Sequence, residues 1–411
     1  MPSSPNRREF IQAAGGALAG AYFLGLPAAA DAANASSSAY EWIRRARIVI
    51  AEGYNAPFYP VFDYRPARAV RIAQDLNADA FRFPAAAYCA YFPTRSGYPI
   101  HPELKEDVMR DTLAACRNAG MRPVGYVPLN HPFMAVTSRD ARYADWTRKF
   151  ADGLPMTTSH YGYGRFFEGC LSSPLRRVIK TMVREVLVEY PFDVLFFDGP
   201  YEGSENGSRY CHCRYCEAAY RAKFGRPVPD DRTELSREDQ VQYVNWMAND
   251  VVIAFLREIR EMIRRTRDVP VLFNDTALLS RRQWRNRAIP AADGFMFEAS
   301  DSPESKLFNL QLGRSTGKAV WTYLGSYAEY NQEHLQDRSV RGWYSYPLEG
   351  EELLMDGAVA VTGGAGLLYW SMSRFYFQPY GPLAYPSGRY IKRTFDLQRR
   401  HGNLLRSVEI R

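Results

Sequence analysis

Eight short apolar runs recur along this chain, and segments with helical spacing lie between most of them. The runs cover 47–52, 78–83, 121–127, 193–198, 269–275, 293–298, 318–323 and 366–371. They are apolar along their whole length instead of alternating, which is what strands buried on both faces require. The helical segments cover 66–76, a stretch opening at 101–103 and ending at 118–120, 173–188, 246–267, 305–314, 349–361 and 388–401, with a shorter one at 280–288. Strand and helix in strict succession predict parallel βαβ units. Eight such units predict a (β/α)8 TIM barrel, and a doubly wound open sheet is the alternative. No G-x-G-x-x-G or G-x-x-x-x-G-K-[ST] follows any strand, so a nucleotide site is not expected. At 411 residues the chain is long for a bare barrel. Insertions at 130–169 and 201–245 absorb the excess.

The first 35 residues read as a segment apart. Asn6-Arg7-Arg8-Glu9-Phe10 precedes a small, mildly apolar run over 13–30, and Ala33-Asn34-Ala35 offers a cleavage site before Ser36. That order is an export signal, and the paired arginines resemble the twin-arginine type. A periplasmic or secreted barrel over 36–411 is expected, with no membrane anchor once the leader is removed. The formal charge of +7 comes from scattered Lys and Arg residues. No basic patch joins a binding motif, so nucleic acid is not an expected partner. The oligomeric state is not legible.

In a TIM barrel the active site gathers at the C-terminal ends of the strands. The carboxylates there are Glu52, Asp198, Asp275 and Glu298. Two carboxylates facing across a pocket are the machinery of glycoside hydrolysis: one protonates the leaving oxygen, the other attacks the anomeric carbon or activates water. Asp198 and Glu298 each end a strongly apolar strand, so they are assigned as nucleophile and acid/base. A strand-end acid can also cap a helix or pair with an arginine. Glu52, Arg82, Asn130, His131, Asn274, Asp275, Trp321, Tyr323 and Trp370 are the candidate substrate-binding residues at the other strand ends. Aromatic side chains of the 130–169 insertion and of the 321–346 and 370–380 loops suit stacking on sugar rings.

Cys211-x-Cys213-x-x-Cys216 packs three thiols into six residues just beyond Asp198. Zn²⁺ prefers four such ligands in a closed structural site. Cys170, before the helix leading into the fourth strand, is the expected fourth ligand, ahead of His212 and His160. A disulfide such as Cys213–Cys216 is the alternative in an exported protein. Cys89 and Cys116 read as buried residues, with a bridge between them possible. None of the six histidines forms an H-x-x-x-H pair and no G-x-S-x-G occurs, so neither a catalytic metal nor a serine nucleophile is expected. No organic cofactor is expected either.

Phe197-Asp198-Gly199-Pro200, then 211–216, then Phe224-Gly225 resemble the glycosyl-hydrolase-like barrel proteins related to the α-L-fucosidases. Cys170-Leu171-Ser172-Ser173-Pro174 is similar to the stretch before strand four in that group, and the thiol spacing is similar to the zinc cluster of the family 42 β-galactosidases. The likeness spans the mature chain at fold level, with its specific motifs in 170–225. It implies an Asp after strand four as nucleophile of a retaining reaction, and an acid/base that in several members follows strand six. Carried over, these are Asp198 and Glu298. The β-galactosidase clan places an Asn-Glu pair at strand four; none stands there in this sequence. The chain ends at Arg411, so no C-terminal β-domain is expected. The function expected is an exported glycoside hydrolase acting on an oligo- or polysaccharide. A silent carbohydrate-binding barrel and a metal-dependent deacetylase or amidase are the alternatives.

Overall fold

A computed structural model describes residues 38–51, 64–129, 140–159, 165–199, 210–230, 235–274, 290–297, 303–324, 350–370 and 379–407. The chain divides into two units, Met1–Glu41 and Trp42–Arg411. Of the first, only a short helix at Ser38–Glu41 is described, so the expected leader over 1–35 lies outside the described residues.

The second unit is a closed barrel of eight parallel strands. They are β1 Arg47–Ile50, β2 Ala80–Pro84, β3 Arg122–Pro128, β4 Val194–Asp198, β5 Val271–Asn274, β6 Gly294–Phe297, β7 Ala319–Tyr323 and β8 Gly366–Trp370. Each strand pairs with its neighbours in sequence, and β8 closes onto β1. All eight predicted strands are present, and the fold is a (β/α)8 barrel.

Outward residues of the strands, among them Val49, Phe81, Phe83, Val127, Leu195, Phe197, Phe273 and Phe295, join one core with the surrounding helices. Each such fully buried side chain contributes about 1.5–3 kcal/mol of transfer free energy. Residues paired across neighbouring strands point to the same side. The register Pro84↔Tyr126, Tyr126↔Phe196, Pro128↔Asp198 and Asn274↔Met296 therefore puts the other set inside the barrel.

Helices α1 Pro66–Asp75, α2 Val108–Asn118 and α3 Leu175–Glu189 follow β1, β2 and β3. α2 begins later than the Pro102-Glu103 signal implies. The Asp107 side chain accepts from the Arg110 N–H at 3.0 Å and caps the helix there. The stretch from 85 to 107 is a loop, buried over 85–92 and held in part by the Tyr98 hydroxyl donating to the Ala87 carbonyl at 2.7 Å.

Both expected insertions contain structure. The first carries a short helix, Ala141–Asp145, and an antiparallel hairpin of Thr157–Ser159 with Arg165–Phe167. The second carries helix α4, Arg214–Phe224, ended by Gly225 at φ 70°. It also carries α5, Arg237–Trp246, which runs on through a π-helical segment, Met247–Ile253, into Ala254–Thr266. The remaining helices are α6 Pro303–Ser315, α7 Gly350–Thr362 and α8 Pro386–Ser407. Among the described residues, no helix is long and apolar enough to cross a membrane.

Candidate active site and thiol centre

Asp198 closes β4 and is half-buried at the barrel mouth. Gly199 follows at φ 87°, a left-handed conformation that turns the chain away directly behind the carboxylate. Both carboxylate oxygens carry donors from the neighbouring strands. The Tyr126 hydroxyl on β3 donates to Oδ2 at 2.5 Å, and Asn274 Nδ2 on β5 donates to Oδ1 at 2.7 Å. Asn274 is 5% exposed, so it acts on Asp198 from inside the wall. Two neutral donors on the neighbouring strands thus fix the orientation of the carboxylate.

Beneath it lies Arg82, 1% exposed and inside the barrel. Its guanidinium spans the interior from β2. Nη2 donates to the Tyr323 hydroxyl on β7 at 2.7 Å, and Nη1 meets Met296 Sδ on β6 at 3.4 Å. The group stacks over Phe196 at 4.3 Å from the ring centroid and lies 5.6 Å from that of Tyr126. Contacts of this kind favour a desolvated cation. Arg82 thus packs under the site as a cationic floor.

Tyr323 is brought to the same cluster. Trp321 is not: it is fully buried, and its indole N–H donates to the Ile43 carbonyl at 2.6 Å, ahead of β1. Its ring fills the space that Gly366 leaves, where a Cβ would come within 2.5 Å. Trp321 therefore packs the barrel floor and does not line the mouth, contrary to the expectation from its strand. The backbone of Trp370 ends β8. Glu298, Glu52, Asn130, His131 and Asp275 lie outside the described residues. Tyr126, which holds Asp198 Oδ2, did not stand out in the sequence.

The four cysteines meet. Cys170, Cys211, Cys213 and Cys216 are buried, and their sulphurs all lie within 4.8 Å of one another. Cys170 Sγ stands 3.5 Å from Cys213 Sγ, 3.5 Å from Cys216 Sγ and 3.9 Å from Cys211 Sγ. A tetrahedral Zn²⁺ with Zn–S bonds of about 2.3 Å sets sulphurs about 3.8 Å apart, so the donor set fits that ion. All six cysteines are free thiols. Cys213 Sγ also accepts from the Cys216 N–H at 3.4 Å and caps α4.

The surroundings orient the thiols. The Cys170 N–H donates to the Trp146 carbonyl at 2.9 Å, and the His212 N–H to the Lys149 carbonyl at 2.8 Å. The Cys211 N–H donates to the Tyr243 hydroxyl at 2.8 Å. Burial works against a Cys211 thiolate. The neighbouring thiols and the Arg148 guanidinium outweigh it and hold this thiol well below its ordinary value. His212 Nδ1 instead pairs with Glu217 at 2.9 Å. Cys89 and Cys116 stand apart, each pushed up to about 12 by burial, with Asp193 adding to the rise at Cys116. They are inert core thiols.

The centre joins the excursion after β3 to the loop after β4. Tyr88, in the loop after β2, stacks on Phe166 of the hairpin with ring centroids 4.3 Å apart. Three consecutive strand-end loops are therefore bound to one another on the side of the barrel where Asp198 stands.

No protein-family model matches this sequence, and no curated protein does. Solved structures do match in fold. The α-L-fucosidase isoenzyme 2 from Paenibacillus thiaminolyticus superposes with a TM-score of 0.60 at 16% identity, over 88% of this chain and 49% of that one. The β-galactosidase from Bacillus circulans sp. alkalophilus gives 0.60 at 12% identity, over 89% and 58%. The α-galactosidase from Lactobacillus brevis gives 0.50 at 13%, over 88% and 41%. The chain thus spans about half to three fifths of the length of the first two. At these identities the likeness is one of fold, and the chain is a (β/α)8 barrel built like those of α-L-fucosidase and the galactosidases.

Proposed function

We propose that this protein is a glycoside hydrolase of the retaining type, with Asp198 as nucleophile and Glu298 as acid/base. The observation that carries the reading is the setting of Asp198. It is a half-buried carboxylate at the tip of β4, fixed through both oxygens by Tyr126 and Asn274. A group held this way meets the geometric demand on a nucleophile that must attack one carbon from one side. The fold neighbours are named as a fucosidase and galactosidases, which makes a saccharide the substrate class to test first.

Zinc belongs to the same proposal. Cys170, Cys211, Cys213 and Cys216 would hold one Zn²⁺ as a closed four-thiolate site. Such a site has no open position for water, so its contribution is structural. The leader fits this chemistry, since export in the folded state through a twin-arginine signal would let the thiols take up metal before they meet an oxidising compartment.

The test is a screen of the mature protein on aryl glycosides and polysaccharides beside Asp198→Asn. Turnover by the wild type and a loss of ~10³-fold or more in the variant support the reading. Equal rates in both remove Asp198 from the chemistry. Sugar binding without turnover makes the protein a carbohydrate-binding barrel instead.

A further inference from the structure

We infer that Tyr126, with Asn274, sets how readily Asp198 leaves the glycosyl-enzyme, and so which of the two chemical steps limits the rate. This rests on the reading of Asp198 as nucleophile. In the first step an Asp198 oxygen bonds to the anomeric carbon. The glycosidic C–O bond breaks, and the departing oxygen takes a proton from the enzyme's acid. The carboxylate becomes a neutral ester. In the second step a water oxygen bonds to the same carbon and the ester C–O bond breaks. Its electron pair returns to Asp198, and the water's proton passes to the group that served as acid.

Charge therefore disappears from Asp198 in the first step and returns in the second. The two donors lie against both oxygens, Tyr126 at 2.5 Å and Asn274 at 2.7 Å. A hydrogen bond to a carboxylate is about twice as strong as one to a neutral acceptor. Each donor thus stabilises the free carboxylate more than the ester. The pair restrains attack and promotes release. Tyr126 is held for this role: its ring stacks near Phe196, with centroids 6.1 Å apart and planes inclined by 23°, and the Arg82 guanidinium lies 5.6 Å from its centroid. A phenol that served packing alone would not need its hydroxyl on the one carboxylate at the tip of β4.

Removing the Tyr126 hydroxyl makes Asp198 a better nucleophile and a poorer leaving group. Tyr126→Phe should lower kcat about tenfold and lower KM with it, while kcat/KM holds or rises, because kcat/KM reports only the steps up to ester formation. Rapid mixing with an activated aryl glycoside should then show a burst of aryl release near one per active site. Acid-quenched protein should carry one added glycosyl mass. Asn274→Ala removes the other donor and should give the same pattern, which keeps the test open if Tyr126→Phe folds poorly. Folded variants that show neither burst nor adduct, with kcat/KM and kcat falling together, overturn the role of Tyr126 while leaving Asp198 as nucleophile, provided Asp198→Asn is inactive. A wild type with no turnover overturns both.

Discussion

Cys170 and Cys213 lie 43 positions apart and bring their sulphurs to 3.5 Å. Cys170 sits just ahead of α3 and Cys213 caps α4, so the pair ties the excursion after β3 to the loop after β4. The purified mature chain should contain one zinc per molecule by elemental analysis. Its unfolded form should titrate six thiols, since all six cysteines are free. Cys170→Ser or a strong chelator should remove the metal and lower the thermal midpoint by roughly 5 °C or more. Fewer than six thiols and no zinc would show a disulfide framework instead.

Asn274 offers a sharper probe of the carboxylate than deletion does. Asn274→Asp puts a second carboxyl group where an amide now donates to Asp198 at 2.7 Å. Two carboxylates that close share one proton instead of both ionising. Activity should fall by ~10²-fold, because the shared proton occupies the nucleophile for part of the time. The fold should survive, since the change is nearly isosteric. Circular dichroism and kcat/KM across pH check the two halves of this expectation.

Arg82→Lys should not behave as a conservative change. The guanidinium donates to Tyr323, reaches Met296 and stacks on Phe196 at once. A point ammonium cannot reproduce that planar set of contacts. Loss of the buried bond to the Tyr323 hydroxyl should cost about 1–3 kcal/mol in urea unfolding. Activity should drop as well, because Tyr126 loses a neighbour that holds its ring.

Lys306 and Asp356 form a buried ion pair between α6 and α7, and Lys306 Nζ also donates to the Tyr323 carbonyl at 2.9 Å. Lys306→Met should destabilise the fold by about 3–5 kcal/mol, because it leaves Asp356 buried without its lysine. Lys306→Met combined with Asp356→Leu should regain most of that loss. Urea midpoints of wild type, the two single variants and the double variant measure the coupling.

Acid stability carries a signature of the outer helices. Burial pushes the Glu258 carboxyl up, but hydrogen bonds from Lys180 and Arg176 outweigh it and hold the group below its ordinary 4.5. A carboxyl lowered by folding stabilises the protein fully above its unfolded value and loses that contribution as pH falls through the folded one. Glu258→Gln should therefore narrow its stability gap to wild type as pH drops below 4.5. Glu258 is half exposed, so the gap itself should not exceed ~1 kcal/mol.

The strands were legible because each is a short run apolar on both sides, as in Val194–Asp198. The same property hid the interior. When both faces are apolar, sequence does not say which residues point inward, and only the register reveals that Tyr126 and Asn274 flank Asp198 while Trp321 packs the floor. Asn274 was noticed as a strand-end residue but in another role. α4 was missed because it buries little, chiefly Cys216 and Tyr220. Its opening thiols read as a metal loop, and one of them, Cys213, is also the cap of α4. The first ten residues of α5 bury only Tyr243 and Trp246, too sparse a stripe to show helical periodicity. The four-thiol set was legible down to Cys170, since a closed tetrahedral site needs a fourth soft ligand and the βα order brings that loop alongside.

Trapping the glycosyl-enzyme tests the central claim most directly. The mature protein would be incubated with a panel of activated 2-deoxy-2-fluoroglycosides, which slow both steps and let the ester accumulate, then digested and mapped by mass spectrometry. One glycosyl group on the peptide that contains Asp198, absent from Asp198→Asn, is the expected result. Turnover of an aryl glycoside with the label on another carboxylate, or with no label from the matching sugar, would contradict Asp198 as the nucleophile.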